Sequence, residues 1–264
     1  MLNTIAIIGG GNLGSAIAEG LIKSKFCTPS QITITKRNTA SLKALQELGC
    51  NVHSDNVKAV QENDVIILAV KPYNYVDILK DMRENLKPEK HVLISVITGV
   101  WISHLKDAAA DNLPLFRVMP NTAIAIRESM TCMCYSGASI GQIDYVKSIF
   151  DQLGKTVVID EQLMDAATVL GACGTAFAMR YIRANIQGGI EIGFDANTAS
   201  LIAAQTVKGA AELLLQTGSH PEKEIDKVTT PKGCTIAGLN EMEHQGFSSS
   251  MIKGISASYL KITK

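Results

Sequence analysis

Strand-length apolar runs alternate with amphipathic stretches along the first part of the chain. Thr4 to Ile8 reads as a strand, and Asn12 to Lys23 spaces its apolar residues for one face of a helix. A second strand is expected over Gln31 to Thr35, a helix near Thr39 to Leu48, and a short third strand near Asn51 to His53. Asp64 to Val70 carries an unbroken run rich in Val and Ile, the pattern of a central strand buried on both faces, and Lys71-Pro72 ends it. Further strands are expected at His91 to Val96, Leu115 to Met119, Met130 to Tyr135 and Thr156 to Ile159. This alternation predicts an α/β fold, with a doubly wound parallel sheet carrying helices on both faces.

From Glu161 the alternation stops, and Ala-rich helical periodicity runs to the end. The shift predicts two domains, residues 1–160 and 161–264, the second all-helical. Leu163 to Ile186 reads as one or two apolar helices, and Asn197 to Leu215 as another, with Leu201, Ile202, Val207 and Leu214 on or near one face. A helix pair this apolar exceeds what a domain of about 100 residues hides within itself, so packing against a second subunit is expected. The alternative is packing onto the chain's own first domain.

Composition narrows the function. Of the 264 residues 46% are hydrophobic and 19% charged, and Lys plus Arg balances Asp plus Glu at 25 each. No overall field recruits nucleic acid or an acidic membrane, so an anion has to be held by a local site. Six scattered cysteines and five histidines show no ligand spacing; Cys132 and Cys134 would share a strand face as small apolar residues, and no metal is expected. Met1-Leu2-Asn3 runs into the first strand without a charged leader, and the apolar stretch Val92 to Ile102 is too short to span a membrane. The expected location is the cytoplasm.

Gly9-Gly10-Gly11-Asn12-Leu13-Gly14 fits G-x-G-x-x-G. Between a strand and a helix, this motif aims backbone N–H groups at a dinucleotide pyrophosphate and makes the first domain Rossmann-type. Gly9 would allow the turn, Gly11 the approach of the phosphates, and Gly14 close packing of helix on strand. An NAD site would place an acid at the end of the second strand, but here the chain reads Thr35-Lys36-Arg37-Asn38. Lys36 and Arg37 would attract the 2′-phosphate of NADP, with Thr35 and Asn38 donating further bonds, unless they form only a solvated basic turn. NADPH is therefore the expected cofactor, with NADH weaker. Asn56 and Ala69-Val70-Lys71-Pro72 fall where loops at the carboxyl ends of such strands reach the nucleotide, although Lys71 equally suits a helix entry.

Gly9 to Gly14, Ala69 to Pro72, Met119-Pro120-Asn121-Thr122 and Thr230-Pro231-Lys232-Gly233-Cys234-Thr235-Ile236-Ala237-Gly238-Leu239 together resemble the Δ1-pyrroline-5-carboxylate reductases, in order and spacing over nearly the whole chain. The resemblance implies a C-terminal helical domain that interleaves with a partner into a homodimer or higher oligomer, with the active site between one subunit's nucleotide and the other's helices. It also implies that Gly233 to Thr235 bind the substrate carboxylate, that Thr235 contacts the ring nitrogen, and that Asn121 and Asn56 lie on the cofactor. Proline formation by reduction of a small cyclic imine is the activity implied.

The chain departs from the family pattern at three places. Gly171-Ala172-Cys173-Gly174-Thr175-Ala176-Phe177 stands where the family usually has Ser-Gly-Ser-Gly-Pro-Ala-Tyr, Lys232 where it has Gly, and Ala123 where Pro commonly follows Asn-Thr. The first falls at the substrate end of the dimer helix, so Gly174 and Thr175 are carried as substrate-binding candidates and substrate identity is less fixed than the cofactor. Thr235 suits orientation of an iminium, which needs no strong general acid, and also suits a helix N-cap. N–H groups of Gly233, Cys234 and Thr235 at a helix start would hold a carboxylate, and Lys232 would add a charge or be simply exposed. The alternatives are reduction of another imine or a 2-oxo acid, and a sensor that binds NADP without turnover.

Overall fold

Buried apolar runs make the strands of the computed structural model, which describes residues 3–263. Met1 and Leu2, on which the expected absence of a leader was partly read, lie outside the described residues. The strands are β1 (Ile5–Ile8), β2 (Ile32–Thr35), β3 (Asn51–His53), β4 (Val65–Leu68), β5 (Val92–Ser95), β6 (Leu115–Met119), β7 (Ser129–Ser136) and β8 (Gly154–Val158). They form one sheet in the order β3-β2-β1-β4-β5-β6-β7-β8, whose first six positions follow the doubly wound order. Every pairing is parallel except β6 with β7, which is antiparallel. Residues 120–128 between them form only a turn of 3₁₀ helix, Thr122–Ile126, too short for the crossover that a parallel neighbour requires. The doubly wound parallel sheet expected from sequence is present, and β6 with β7 is its one antiparallel pair.

Alternate residues of the central strands feed two cores. Ile5, Ile7, Ile34 and Ile67 pack with α1 (Asn12–Lys23), α2 (Lys43–Glu47) and a later helix, Ile140–Asp151. Ala6, Ile8, Ile66 and Leu68 pack on the other face with α3 (Asn56–Glu62), α4 (Tyr75–Met82) and α5 (Ile102–Ala108). Continuing the numbering, Ile140–Asp151 is α6. Each fully buried Ile or Val contributes roughly 1.5–3 kcal/mol, and the double burial explains why the strands read as unbroken apolar runs.

Two compact units divide the chain, one reaching Thr175 and the other starting at Ala176. The compositional change at Glu161 comes earlier because α7 (Met164–Ala167) and the π-helical turn Thr168–Cys173 belong to the sheet unit. There Met164 and Val169 are buried. The helices that follow are α8 (Gly174–Glu191), α9 (Ala196–Thr217), α10 (Pro221–Lys227), α11 (Cys234–His244) and α12 (Phe247–Ile262). Among the described residues of the second unit only Ala199 and Ala203 are buried, whereas Ile192, Leu201 and Leu215 are more than 70% exposed. No helix of the described residues is long and apolar enough to cross a membrane.

Candidate functional site

Gly9 follows β1 and turns the chain with φ +113°, and the N–H groups of Gly9 and Gly10 donate to the Thr35 carbonyl at 3.2 and 2.7 Å. α1 then begins with Gly11 as its N-cap, with no side chain capping it and no acid in its first turn. The N–H groups of Asn12, Leu13 and Gly14 therefore lack intrahelical acceptors and sit at the positive end of the helix dipole.

The glycines separate into structural and open positions. A Cβ on Gly9 would stand 2.5 Å from the Ala69 carbonyl oxygen, and one on Gly14 2.2 Å from the Gly9 carbonyl oxygen. A Cβ on Gly11 would meet nothing within 4 Å. Close packing thus requires Gly9 and Gly14, while Gly11 leaves clear space before the uncapped helix end, which fits a pyrophosphate. Ala69 and Val70 lie beside Gly9, and Lys71 and Pro72 are exposed at the start of the next turn.

At the end of β2, Lys36 donates from Nζ to Ser41 Oγ at 2.7 Å and Arg37 is exposed. Thr35 behaves differently from expectation. Its side chain is buried and its hydroxyl donates to Asn56 Oδ1 at 2.7 Å, so it steadies Asn56 instead of facing a ligand. Asn38 accepts from the Ala40 N–H, which caps the following turn.

Asn121 follows β6. Its Oδ1 accepts from the Ala123 N–H at 3.0 Å and its Nδ2 donates to the Gly171 carbonyl at 3.2 Å. The same carbonyl accepts from Thr175 Oγ1 at 3.3 Å. Asn121, Gly174 and Thr175 are thereby brought together by the π-helical turn, which the sequence did not signal; such turns are frequent at functional sites.

The remaining candidates lie in the helical unit. Gly233 donates its N–H to the Thr230 carbonyl at 2.9 Å, closing a turn with Pro231 second and Lys232 third, and Lys232 has φ +62°. That left-handed position favours glycine. α11 starts at Cys234 with Gly233 as N-cap and no side-chain cap, so Thr235 is the second residue of the helix and not its N-cap.

Sequence reasoning missed Arg117, a cation in the middle of β6 whose side chain is 0% exposed. A charged residue in an otherwise apolar strand was the available signal. His91, Cys27 and Cys134 are structural. His91 accepts the Lys87 N–H at Nδ1 (2.8 Å), so Nε2 donates to the Val60 carbonyl (3.1 Å), and burial holds its pKa down. Burial, with Cys50 adding, pushes the Cys27 thiol up to about 11. Burial and then Glu161 push the Cys134 thiol to about 12, so both thiols pack as apolar groups.

Residues 161–264 match the family model described as pyrroline-5-carboxylate reductase dimerisation, and residues 4–99 match one described as NADP oxidoreductase coenzyme F420-dependent. A pyrroline-5-carboxylate reductase 2 of Dictyostelium discoideum is 41% identical over 98% of this chain and 92% of its own length. A pyrroline-5-carboxylate reductase 1 of the same organism is 46% identical over 97% of this chain, which spans only 48% of that relative. The solved pyrroline-5-carboxylate reductase of Coxiella burnetii superposes with a TM-score of 0.94 at 26% identity, covering 100% of this chain and 98% of its own.

Proposed function

Because the chain belongs to the pyrroline-5-carboxylate reductase family, we propose that it reduces Δ1-pyrroline-5-carboxylate to proline with NADPH. The open space at Gly11 before an uncapped helix end carries the cofactor half of this reading. Gly9, Gly11, Asn12, Leu13 and Gly14 would hold the pyrophosphate, and Lys36 and Arg37 the 2′-phosphate. Asn56, Ala69, Val70, Lys71, Pro72 and Asn121 would line the rest. Held there, NADPH would supply the hydride for the C=N carbon, and an imine nitrogen that is already protonated would keep its proton, so the chain would not have to provide a strong acid.

This chain's own work is binding and orientation. The N–H groups of Gly233, Cys234 and Thr235 would hold the substrate carboxylate at the positive end of α11, and the Thr235 hydroxyl would fix the ring nitrogen. Gly174 and Thr175 would border the ring. Residues 1–160 serve as the NADP-binding domain and residues 161–264 as the dimerisation and substrate domain, and an interleaved homodimer in the cytoplasm completes the site. The exposed apolar side chains of α8, α9 and α12 support assembly.

The test follows NADPH absorbance with pyrroline-5-carboxylate and, separately, with a panel of 2-oxo acids. Turnover of the imine is expected, and binding of NADPH without turnover of any substrate would refute the reading. Thr235→Ala should lower kcat/KM at least threefold to tenfold, on the order of one lost hydrogen bond of 0.5–1.5 kcal/mol, while NADPH affinity holds and Thr235→Ser retains most activity. A lower Tm with unchanged kcat/KM would leave Thr235 only a fold role.

A further inference from the structure

We propose that Arg117 is a positioning residue for the imine reduction, fixing the segment from Glu161 to Thr175 on the sheet so that Gly174 and Thr175 are presented at the correct helical phase. The inference rests on the functional reading above. Arg117 Nη2 lies 3.1 Å from Asp165 Oδ1 and Nη1 lies 3.5 Å from Glu161 Oε1. The guanidinium carbon stands 5.0 Å from the ring centre of Trp101. Glu161 Oε1 also accepts the Ile102 N–H at 2.6 Å, which ties the start of α5 into the same cluster.

The cluster is poorly built for stability. Arg117 Nε and Nη1 are buried and make no hydrogen bond within the chain, Nη1 having only its 3.5 Å ion pair with Glu161, so the lost hydration of a full charge is only partly replaced. Buried ion pairs of this kind are often replaced by apolar residues of similar volume without loss of stability, and the best-attested return for keeping one is register. Register is what this segment needs. Between Asp165 and Gly174 the helix runs through the π-helical turn Thr168–Cys173, and its phase is set by what grips each end. Arg117 grips Glu161 and Asp165 at the front. Asn121, just beyond the same strand, grips the Gly171 carbonyl at the rear. Trp101 completes the front grip and is the chain's sole tryptophan, so its emission reports on the cluster.

The experiment uses the full chain and two variants. The triple change Arg117→Met, Glu161→Gln, Asp165→Asn removes every charge together, and the amide at 161 still accepts from Ile102. Arg117→Lys keeps the charge and loses the planar fork. Tm, Trp101 emission, NADPH affinity, kcat and KM for the imine, and amide exchange over residues 164–175 are measured. Both variants should fold and bind NADPH within about twofold of the parent, while kcat/KM for the imine falls on the order of tenfold to a hundredfold, the scale of an ångström of misplacement. Exchange over 164–175 should accelerate. A folded variant of either kind with unchanged kcat/KM and unchanged exchange overturns the proposal. So does failure of both variants to fold, which would make the cluster a stability element. If the parent reduces no imine, the functional reading fails by itself, and the exchange comparison decides the positional claim: unchanged exchange overturns it.

Discussion

Gly11→Ala and Gly14→Ala make a paired perturbation in which the same added methyl group has opposite consequences. At Gly11 the backbone already has φ −83°, open to any L-residue, and no atom lies within 4 Å of the new carbon. Reduced freedom of the unfolded chain favours alanine by about 0.4–1 kcal/mol, and the poorer N-cap costs a similar amount. The ligand-free Tm should stay within roughly 3 °C of the parent. At Gly14 the new carbon lies 2.2 Å from the Gly9 carbonyl oxygen and 3.1 Å from Ile7 Cγ2, so α1 must move off the end of β1 by about 1 Å. Overpacking at the upper end of about 3 kcal/mol, less about 1 kcal/mol of helix propensity, leaves a net loss near 2 kcal/mol. A Tm fall of roughly 4–8 °C follows.

Thermal melts with and without NADPH separate the two variants. Ligand at a hundred times Kd stabilises by about 2.7 kcal/mol, a shift of roughly 5–10 °C. Gly14→Ala should be unstable before ligand is added. Gly11→Ala should melt normally and lose most of the NADPH shift, because its methyl group occupies the approach to the uncapped helix end. A full NADPH shift in Gly11→Ala would show that the space is not the phosphate seat, and a Gly14→Ala as stable as the parent would refute the packing argument.

Three further outcomes are expected. Replacing Lys36 and Arg37 by Ala should raise the NADPH KM roughly tenfold or more and leave the NADH KM nearly unchanged, since only one cofactor carries the extra phosphate; an equal effect on both would refute the assignment. Lys232→Gly should raise the Tm by about 1–3 °C, because relief of a left-handed non-glycine residue, about 1–2 kcal/mol, exceeds the added chain entropy of 0.4–1 kcal/mol; a lower Tm in calorimetry would count against the strain. Ile202 is 46% exposed in the single chain, so Ile202→Asp should cost little there and act through assembly, giving dissociated or insoluble inactive protein by light scattering; a soluble, fully active monomer would refute the interleaved dimer.

The strands were legible because burial on both faces writes an unbroken apolar run, and the Gly9 to Gly14 turn because its glycines answer steric demands visible in spacing. The direction of β7 was missed. Residue pattern is the same for either orientation, and the signal the sequence did hold, a connection over 120–128 too short for a crossover, was not used. The turn at Thr168–Cys173 was hidden because one extra residue in a helical turn leaves helical periodicity nearly intact. The Thr35 hydroxyl was read as facing a ligand because sequence does not show which face of β2 it takes, and it bonds Asn56. Lys232 was noted as a departure, yet its cost appears only with its φ.

If a second copy covers the apolar side chains left exposed beyond Thr175, subunit concentration becomes a thermodynamic variable for this protein. Where a folded unit depends on association of two copies, each tenfold dilution removes about 1.4 kcal/mol from its apparent stability. The sheet unit, with its own two cores, is insulated from that loss. Dilution should therefore melt the helices first and leave nucleotide affinity behind, and expression level in a cell would set how much of the chain is competent as firmly as any substitution in it.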